Sequence, residues 1–496
     1  MQMFRKTGDE VILIYTPRRE TVEVGQNIKI IDQPRKRGLL VQIIEQSLVD
    51  LTGILEDIVR TESIEKAKIE EHTTPEYTKY HLDVKNMKLA RAKIRKEIQI
   101  QNGQEKIVDW TGWIPDRSAK VEPADDQWLL NQLKIGKQHY KHPITIGKTT
   151  TTNQTVTISA HNLQGITIIV GKKGTGKSHL AKTLLIGLID NGAKNLVFDI
   201  NNEYPALKYN QDGTPSKYHK KIITLDPGNN LRFTLQYIGQ NVFFDVIQTT
   251  MALPEASAYE LKNIWTQLEE NGQLTLQQLY QQVENIPDRR IRGATTRRLD
   301  RMRQTNLFTD NPEQATTLQK EFKKIEQGGA IIINLKLKSK DTIDLVVQTV
   351  LSKLQEMLEK QEITPIFIFA EEAHLYLRET DWANAVTRMR HLGTYQIYMT
   401  NTPTEIRTLA IRQADNLYLF HLTEDQDLNH ITPAAKIDPQ TIQQIAKTLP
   451  PHTCLTIGET TRHYPLIIKT TPLPVKTAGE TRNTSKKNKQ ALNSRR

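Results

Sequence analysis

The chain has 496 residues, 37% of them hydrophobic and 25% charged, with a formal net charge of +11. That length suits about three domains and a sizeable core, and the balance of apolar and charged residues excludes a disordered or fibrous chain. The lone cysteine, Cys454, excludes an intramolecular disulfide and a cysteine-based zinc site; with no apolar run near the roughly 20 residues that cross a bilayer and no signal-peptide stretch, a cytoplasmic protein that touches no membrane is expected.

The first segment is strand-rich. Glu10–Tyr15, Glu20–Val24 and Gly38–Ile44 are short β-type runs separated by turn residues at Pro17, Gly25 and Asp32 to Pro34. Leu51–Val59 then has helical spacing, and strand character returns over Lys93–Ile100. Together these runs predict a small β-barrel over residues 1–118 with a helical interruption, followed by a polar link over 116–140. Residues 140–473 alternate strands with helices, the pattern of a mostly parallel sheet covered on both faces. Strands are expected at 166–170, 195–199, 221–225, 330–335, 365–369, 396–400 and 416–422, with a helical insertion at 245–325. The tail, 474–496, carries seven Lys or Arg against one Glu from Lys476 onwards and reads as disordered.

Between the strand Ile166–Val170 and a helix opening near His179 lies Gly171-Lys172-Lys173-Gly174-Thr175-Gly176-Lys177-Ser178. This is a complete phosphate-binding loop. Its glycines let backbone N–H groups turn inward around phosphates, Lys177 reaches the β and γ oxygens, the Ser178 hydroxyl is placed for Mg²⁺, and the helix N-terminus adds its positive dipole end. ATP and Mg²⁺ are the expected ligands. Hydrolysis also needs an acidic metal site and a group that polarises water. The apolar run Ile366-Phe-Ile-Phe-Ala-Glu371-Glu372-Ala-His374 supplies both at its end, with Glu371 on the Mg²⁺ side and Glu372 as the base.

Three further clusters follow the loop in order: Asn195-Leu-Val-Phe-Asp199 with Glu203-Tyr204, Phe369 to His374, and Arg390-His-Leu-Gly393 followed by Thr400-Asn401-Thr-Pro403. With the loop they resemble the HerA branch of the HerA and FtsK translocase superfamily, ring-shaped ATP-driven DNA pumps. The N-terminal runs, including Glu23-Val-Gly25 and Gly112 to Arg117, resemble the barrel that HerA proteins share with ATP synthase subunits. The resemblance spans roughly residues 8–470. It implies an α/β fold, a RecA-like P-loop ATPase core with a helical insertion behind a small β-barrel. It places Asp199 and Glu203 beside the nucleotide, and Asn401 where relatives usually carry a Gln that senses the γ-phosphate. It also implies that Arg390 faces a neighbouring subunit's γ-phosphate, so that ATP is hydrolysed at the interfaces of a homohexamer.

The helical insertion holds seven arginines within fifteen residues, among them Arg289, Arg290, Arg292, Arg297 and Arg298. Guanidinium forks grip phosphate oxygens without reading sequence, as a motor on double-stranded DNA requires. A solvated face, or ion pairs between subunits, fits this run equally well. The leading expectation is an ATP-dependent double-stranded DNA translocase or helicase acting in DNA end processing, and the resemblance alone implies a NurA-type nuclease partner. Two other readings stand beside it: a nucleotide-controlled ring scaffold or defence-type sensor switched by a protein partner, and a membrane-associated DNA pump of the conjugative or secretion type.

Overall fold

A computed structural model of the chain describes residues 1–18, 20–48, 87–377 and 389–478. Seven antiparallel strands build the N-terminal sheet: β1 (Gln2–Thr7), β2 (Glu10–Tyr15), β3 (Asn27–Asp32), β4 (Arg37–Leu48), β5 (Lys88–Gln101), β6 (Gln104–Val108) and β7 (Lys120–Pro123). Their order is β1-β2-β5-β4-β3-β7, with β6 paired to β5. Alternation drives the curl: Val11, Leu13 and Tyr15 of β2 point into an apolar core shared with Ile28, Ile30, Val41 and Ile43. The edge strands β1 and β7 touch but do not pair, so the expected barrel is an open, curled sheet.

Two further expectations for this region change. Glu20–Val24 forms no strand, because β4 already has β3 and β5 on its two edges. The segment is held instead through one buried side chain, Val22, and through Gln46, whose amide donates to the Val22 carbonyl at 2.7 Å. The expected polar link contains β7 and a helix α1 (Asp126–Gln132), capped by Asp125, which accepts from the Trp128 N–H at 2.8 Å. The helix expected at Leu51–Val59 and the basic tail from residue 479 lie outside the described residues.

The core sheet follows. In chain order its elements are β8 (Pro143–Thr149), β9 (Thr155–Ser159), β10 (Ile166–Val170), α2 (Lys177–Asp190), β11 (Lys194–Asp199), β12 (Ile222–Leu225), α3 (Gln240–Met251), α4 (Glu255–Glu270), α5 (Leu276–Glu284) and α6 (Arg289–Gln304). They continue with β13 (Gly329–Asn334), α7 (Lys340–Glu359), β14 (Ile366–Glu371), β15 (Thr394–Thr400), β16 (Asn416–Phe420), α8 (Asp425–Ala435), α9 (Pro439–Thr448), β17 (Thr453–Gly458) and β18 (Leu466–Thr470). The strand order is β12-β13-β11-β14-β15-β10-β16-β17-β18-β8-β9.

The first seven strands in that order are parallel, and β17, β18, β8 and β9 extend them antiparallel. Every residue of β10, β11 and β14 is buried, as continuous apolar runs require when both faces are covered. Helices α3 to α6 sit between β12 and β13 and enclose their own aromatic centre, where the Phe243 and Trp265 rings lie 4.7 Å apart.

The two sheets are locked together. Arg95 of β5, its side chain 8% exposed, donates to Asp438 Oδ2 at 3.1 Å, to Thr441 Oγ1 at 2.7 Å and to Gln42 Oε1 at 3.2 Å. Gln42 in turn reaches the Pro465 carbonyl at 2.9 Å, and Tyr464 donates to Asn27 Oδ1 at 2.6 Å. Gly25, at φ +90°, lies so close to β18 that a Cβ there would stand 2.0 Å from Ile467 Cδ1.

Candidate active site

The parallel strands all point their C-terminal ends the same way, and the phosphate-type loop leaves β10 at that end. Gly171 has φ +148° and lies against Phe420, where a Cβ would meet Phe420 Cβ at 2.6 Å; Gly174, at φ +81°, faces open space. A side chain is therefore excluded at the first position by packing, while the second leaves the loop crest free for a ligand. The loop is fastened from below by neighbouring backbone, with Lys172 N–H donating to the His421 carbonyl at 2.9 Å and His452 N–H donating to the Thr175 carbonyl at 2.8 Å.

Lys177 opens α2 and is buried. Its ammonium donates to the carbonyls of Gly171 at 2.7 Å and Lys172 at 2.9 Å, and to Asn401 Oδ1. Burial pushes its pKa down to about 8, against the pull of Glu372 and Glu371. Asn401 follows the end of β15 and bridges two groups, because its amide also donates to Glu372 Oε1. Glu372 sits in the left-handed region at φ +48°, which turns it out of β14, and its Oε2 accepts from the Asn401 N–H at 3.3 Å.

Glu371 closes β14 and is 3% exposed. Its Oε1 accepts from Ser178 Oγ at 3.3 Å, whereas its buried Oε2 has no partner among the described residues. Burial first, then the nearby Asp199 and Glu203 carboxylates, push its pKa up to about 8. Asp199 ends β11 and is also raised by burial, although it accepts from the Glu203 N–H at 3.1 Å and the Tyr204 N–H at 3.0 Å. Glu203 accepts from Lys182 Nζ at 2.6 Å, and that buried lysine also bonds the Ala478 carbonyl at 2.8 Å.

An orphaned carboxylate oxygen beside a serine hydroxyl is a hard oxygen pair that suits Mg²⁺. Among the described residues no three His, Cys, Asp or Glu side chains converge to hold a metal alone.

Comparison with known proteins then bears on the architecture. Residues 144–354 match the family model described as the central domain of the helicase HerA. No curated protein matches the chain. Among solved structures, the plasmid coupling protein TrwB in complex with a non-hydrolysable GTP analogue is 12% identical, with 72% of this chain and 95% of that one covered at a TM-score of 0.50. VirB4 of Thermoanaerobacter pseudethanolicus is 15% identical, covering 67% of this chain and 98% of that one at a TM-score of 0.49. At 12% identity and a TM-score of 0.50, the likeness to TrwB speaks to the fold alone.

The matched stretch contains the loop, Asp199, Glu203 and the arginine-rich helix, while Glu371, Glu372, Arg390 and Asn401 come from the chain beyond it. The fold gathers Lys177, Ser178, Asp199, Glu203, Glu371, Glu372 and Asn401 at one end of the sheet. Lys172 and Lys173 are exposed on the loop. Arg390 stands at the other end, before β15, where its Nη2 donates to Asp415 Oδ1 at 3.2 Å.

The five candidate arginines among the seven of α6 divide. Arg292 and Arg298 are half-buried and spend their guanidiniums on the carbonyls of Ile286, Met251, Ala252 and Ala294, a structural use. Arg289, Arg290 and Arg297 are exposed.

Lys182 and His452 escaped the sequence reading. A signal for Lys182 existed, since it is the single charge in the mostly apolar stretch Leu180 to Leu185. His452 had none, because only the return of β17 to the sheet brings it under the loop.

Proposed function

We propose that this chain is an ATP-dependent motor of HerA type that moves double-stranded DNA, built as a ring of six identical subunits and acting in DNA end processing with a NurA-type nuclease. The observation that carries the reading is the pairing of Lys177 and Ser178 with Glu371 and Glu372 at one sheet end, inside and just beyond the stretch that matches the HerA central domain. The loop N–H groups and Lys177 bind the phosphates of ATP, for which Lys177 must leave the Gly171 and Lys172 carbonyls. Ser178 and Glu371 are the residues that would hold Mg²⁺, whose charge would offset that of the phosphates. Glu372 orients a water toward the γ-phosphorus and takes its proton.

Arg390 lies at the opposite sheet end from its own loop, so any contact it makes with a γ-phosphate is with that of a neighbouring subunit. Its side chain stays 36% exposed while paired with Asp415, which leaves it within reach of an interface. In the resting site Asn401 ties Lys177 to Glu372, which supports a role for Asn401 in reporting phosphate entry to the base.

That same tie favours a second reading, a ring switched by a protein partner, in which hydrolysis is slow until the partner breaks the bridge. Steady-state ATP turnover with and without linear duplex DNA, at about 50 and about 200 mM salt, separates the two. A motor shows strong stimulation by duplex that fades at the higher salt. Turnover indifferent to DNA at both salts overturns the motor and leaves the switch.

A further inference from the structure

The lysine-rich turn after β13 is the least expected surface feature of the core. It reads Leu335-Lys336-Leu337-Lys338-Ser339-Lys340, and Leu337 at its tip is 95% exposed with φ +61°. Left-handed backbone is unfavourable for a leucine, and full exposure wastes its apolar surface, so local stability does not account for this residue. The turn is nevertheless well fastened. Lys338 Nζ donates to the Pro227 carbonyl at 2.9 Å, Lys336 N–H donates to Asn334 Oδ1 at 3.2 Å, and Ser339 caps α7 by accepting from the Thr342 N–H. Lys336 and Lys340 remain outside, exposed.

The arginine-rich helix comes up beside this turn. Arg301 of α6 reaches Asp341, the residue after Lys340, at 3.1 Å. Arg290, Arg297 and Arg301, at spacings of seven and four, line one flank of α6, away from the buried face of Thr295, Leu299 and Met302. They extend over about 16 Å of helix, enough to follow several nucleotides of a strand at about 3.4 Å of axis each. Among the described residues Arg290, Arg297, Lys336 and Lys340 have no acidic partner.

We propose that the flank of α6 and the turn 336–340 form one basic track that grips the phosphate backbone of duplex DNA, with Leu337 as its apolar tip. This inference rests on the motor reading and names the surface through which the motor holds its substrate. Cations on two abutting, well-held elements, four of them without an acidic partner among the described residues, match a uniformly charged rod better than they match a protein face, where apolar anchors would be needed. The track is also joined to the nucleotide site: Leu335 N–H donates to the carbonyl of Asp199 at 2.9 Å, so the turn begins one hydrogen bond from a carboxylate-bearing residue of that site. A shift of β11 on nucleotide exchange thereby reaches the turn directly.

The test uses the full chain and its double variants Arg290→Ala/Arg297→Ala and Lys336→Ala/Lys340→Ala, with unchanged thermal unfolding midpoints as the control for folding. Binding of a fluorescent linear duplex is followed by anisotropy across a salt series. Each double variant is expected to weaken binding at least about tenfold at low salt and to lower the slope of log affinity against log salt by nearly 2, at about 0.9 per lost phosphate contact. Wild-type affinity and slope in both variants overturn the track and leave the motor reading standing. A wild type that hydrolyses ATP but binds no duplex at any salt overturns the motor reading and the track together. Loss of poly-glutamate binding with duplex binding intact assigns the surface to an acidic protein and likewise overturns it.

Discussion

The two ends of the core sheet treat a carboxylate in opposite ways, half-buried Asp415 at one and buried Glu371 at the other. At the N-terminal end, Asp415 is fully used: its Oδ2 accepts from the Ile166 N–H at 2.8 Å, its Oδ1 from Arg390 at 3.2 Å, and it fills the space where a Cβ on Gly165 would fall. At the C-terminal end, Glu371 keeps one oxygen with no partner, shares its surroundings with Asp199 and Glu203, and faces a lysine drained of charge stability by burial. A buried polar group left unsatisfied costs more than its hydrogen bond returns, so a fold retains it only where something else completes it. One end of the sheet is finished architecture. The other leaves an acceptor open beside the loop.

The sharpest way to break this contrast is to remove the cation of the unfinished end. Lys177→Ala is expected to cut ATP turnover by about 1,000-fold or more with folding preserved, measured as steady-state phosphate release beside a thermal melt. Glu372→Gln follows, with turnover down about 100-fold while nucleotide affinity, read by equilibrium titration, stays near wild type. Wild-type turnover in either variant would mean that this end is not the site.

Glu371 makes a prediction in the pH dimension. In the unfolded chain it ionises near its ordinary value of 4.5, whereas in the fold it keeps its proton to about 8. Between those values the folded state binds more protons, so stability falls as pH rises through the window. Glu371→Gln is expected to remove most of that fall and to raise the metal-free unfolding midpoint at about pH 8, by an amount worth on the order of a few kcal/mol. The same variant loses the stabilisation that Mg²⁺ with ADP gives the wild type, seen in the same melts. A variant that melts like wild type at both ends of the pH range would remove the case for a strained carboxylate here.

The finished end gives the smallest effect. Asp415→Ala leaves the Ile166 N–H and Arg390 without their acceptor and is expected to cost about 1–3 kcal/mol of stability. Nucleotide affinity should not change. If it dropped as far as in Lys177→Ala, the two ends would not be independent.

Much of this contrast was legible in the sequence, because its parts are local. The loop is eight consecutive residues, and Glu371 and Glu372 close an apolar run too continuous to be anything but an interior strand. The strands of the antiparallel extension were harder to see. β8 and β9 are rich in threonine and carry no long apolar run, so β pairing rather than composition makes them strands. Glu20–Val24 erred the other way, with strand-like residues set beside β4, both edges of which are already paired. The tie from Asn401 to both Lys177 and Glu372 joins positions 224 and 29 residues apart, and no spacing rule reaches across such intervals.

The joint between the two sheets has a practical side. Arg95, Gln42 and Tyr464 bolt β3, β4 and β5 onto the helix and strands at the end of the core, with Gly25 pressed against β18. No hinge of loose contacts separates the pieces. The N-terminal sheet is therefore a pointer fixed to the engine block: a fluorophore placed at exposed Phe4 on β1 would turn as the core turns, and its polarisation would read out the tilt of the ATPase domain during a catalytic cycle without a label anywhere near the nucleotide.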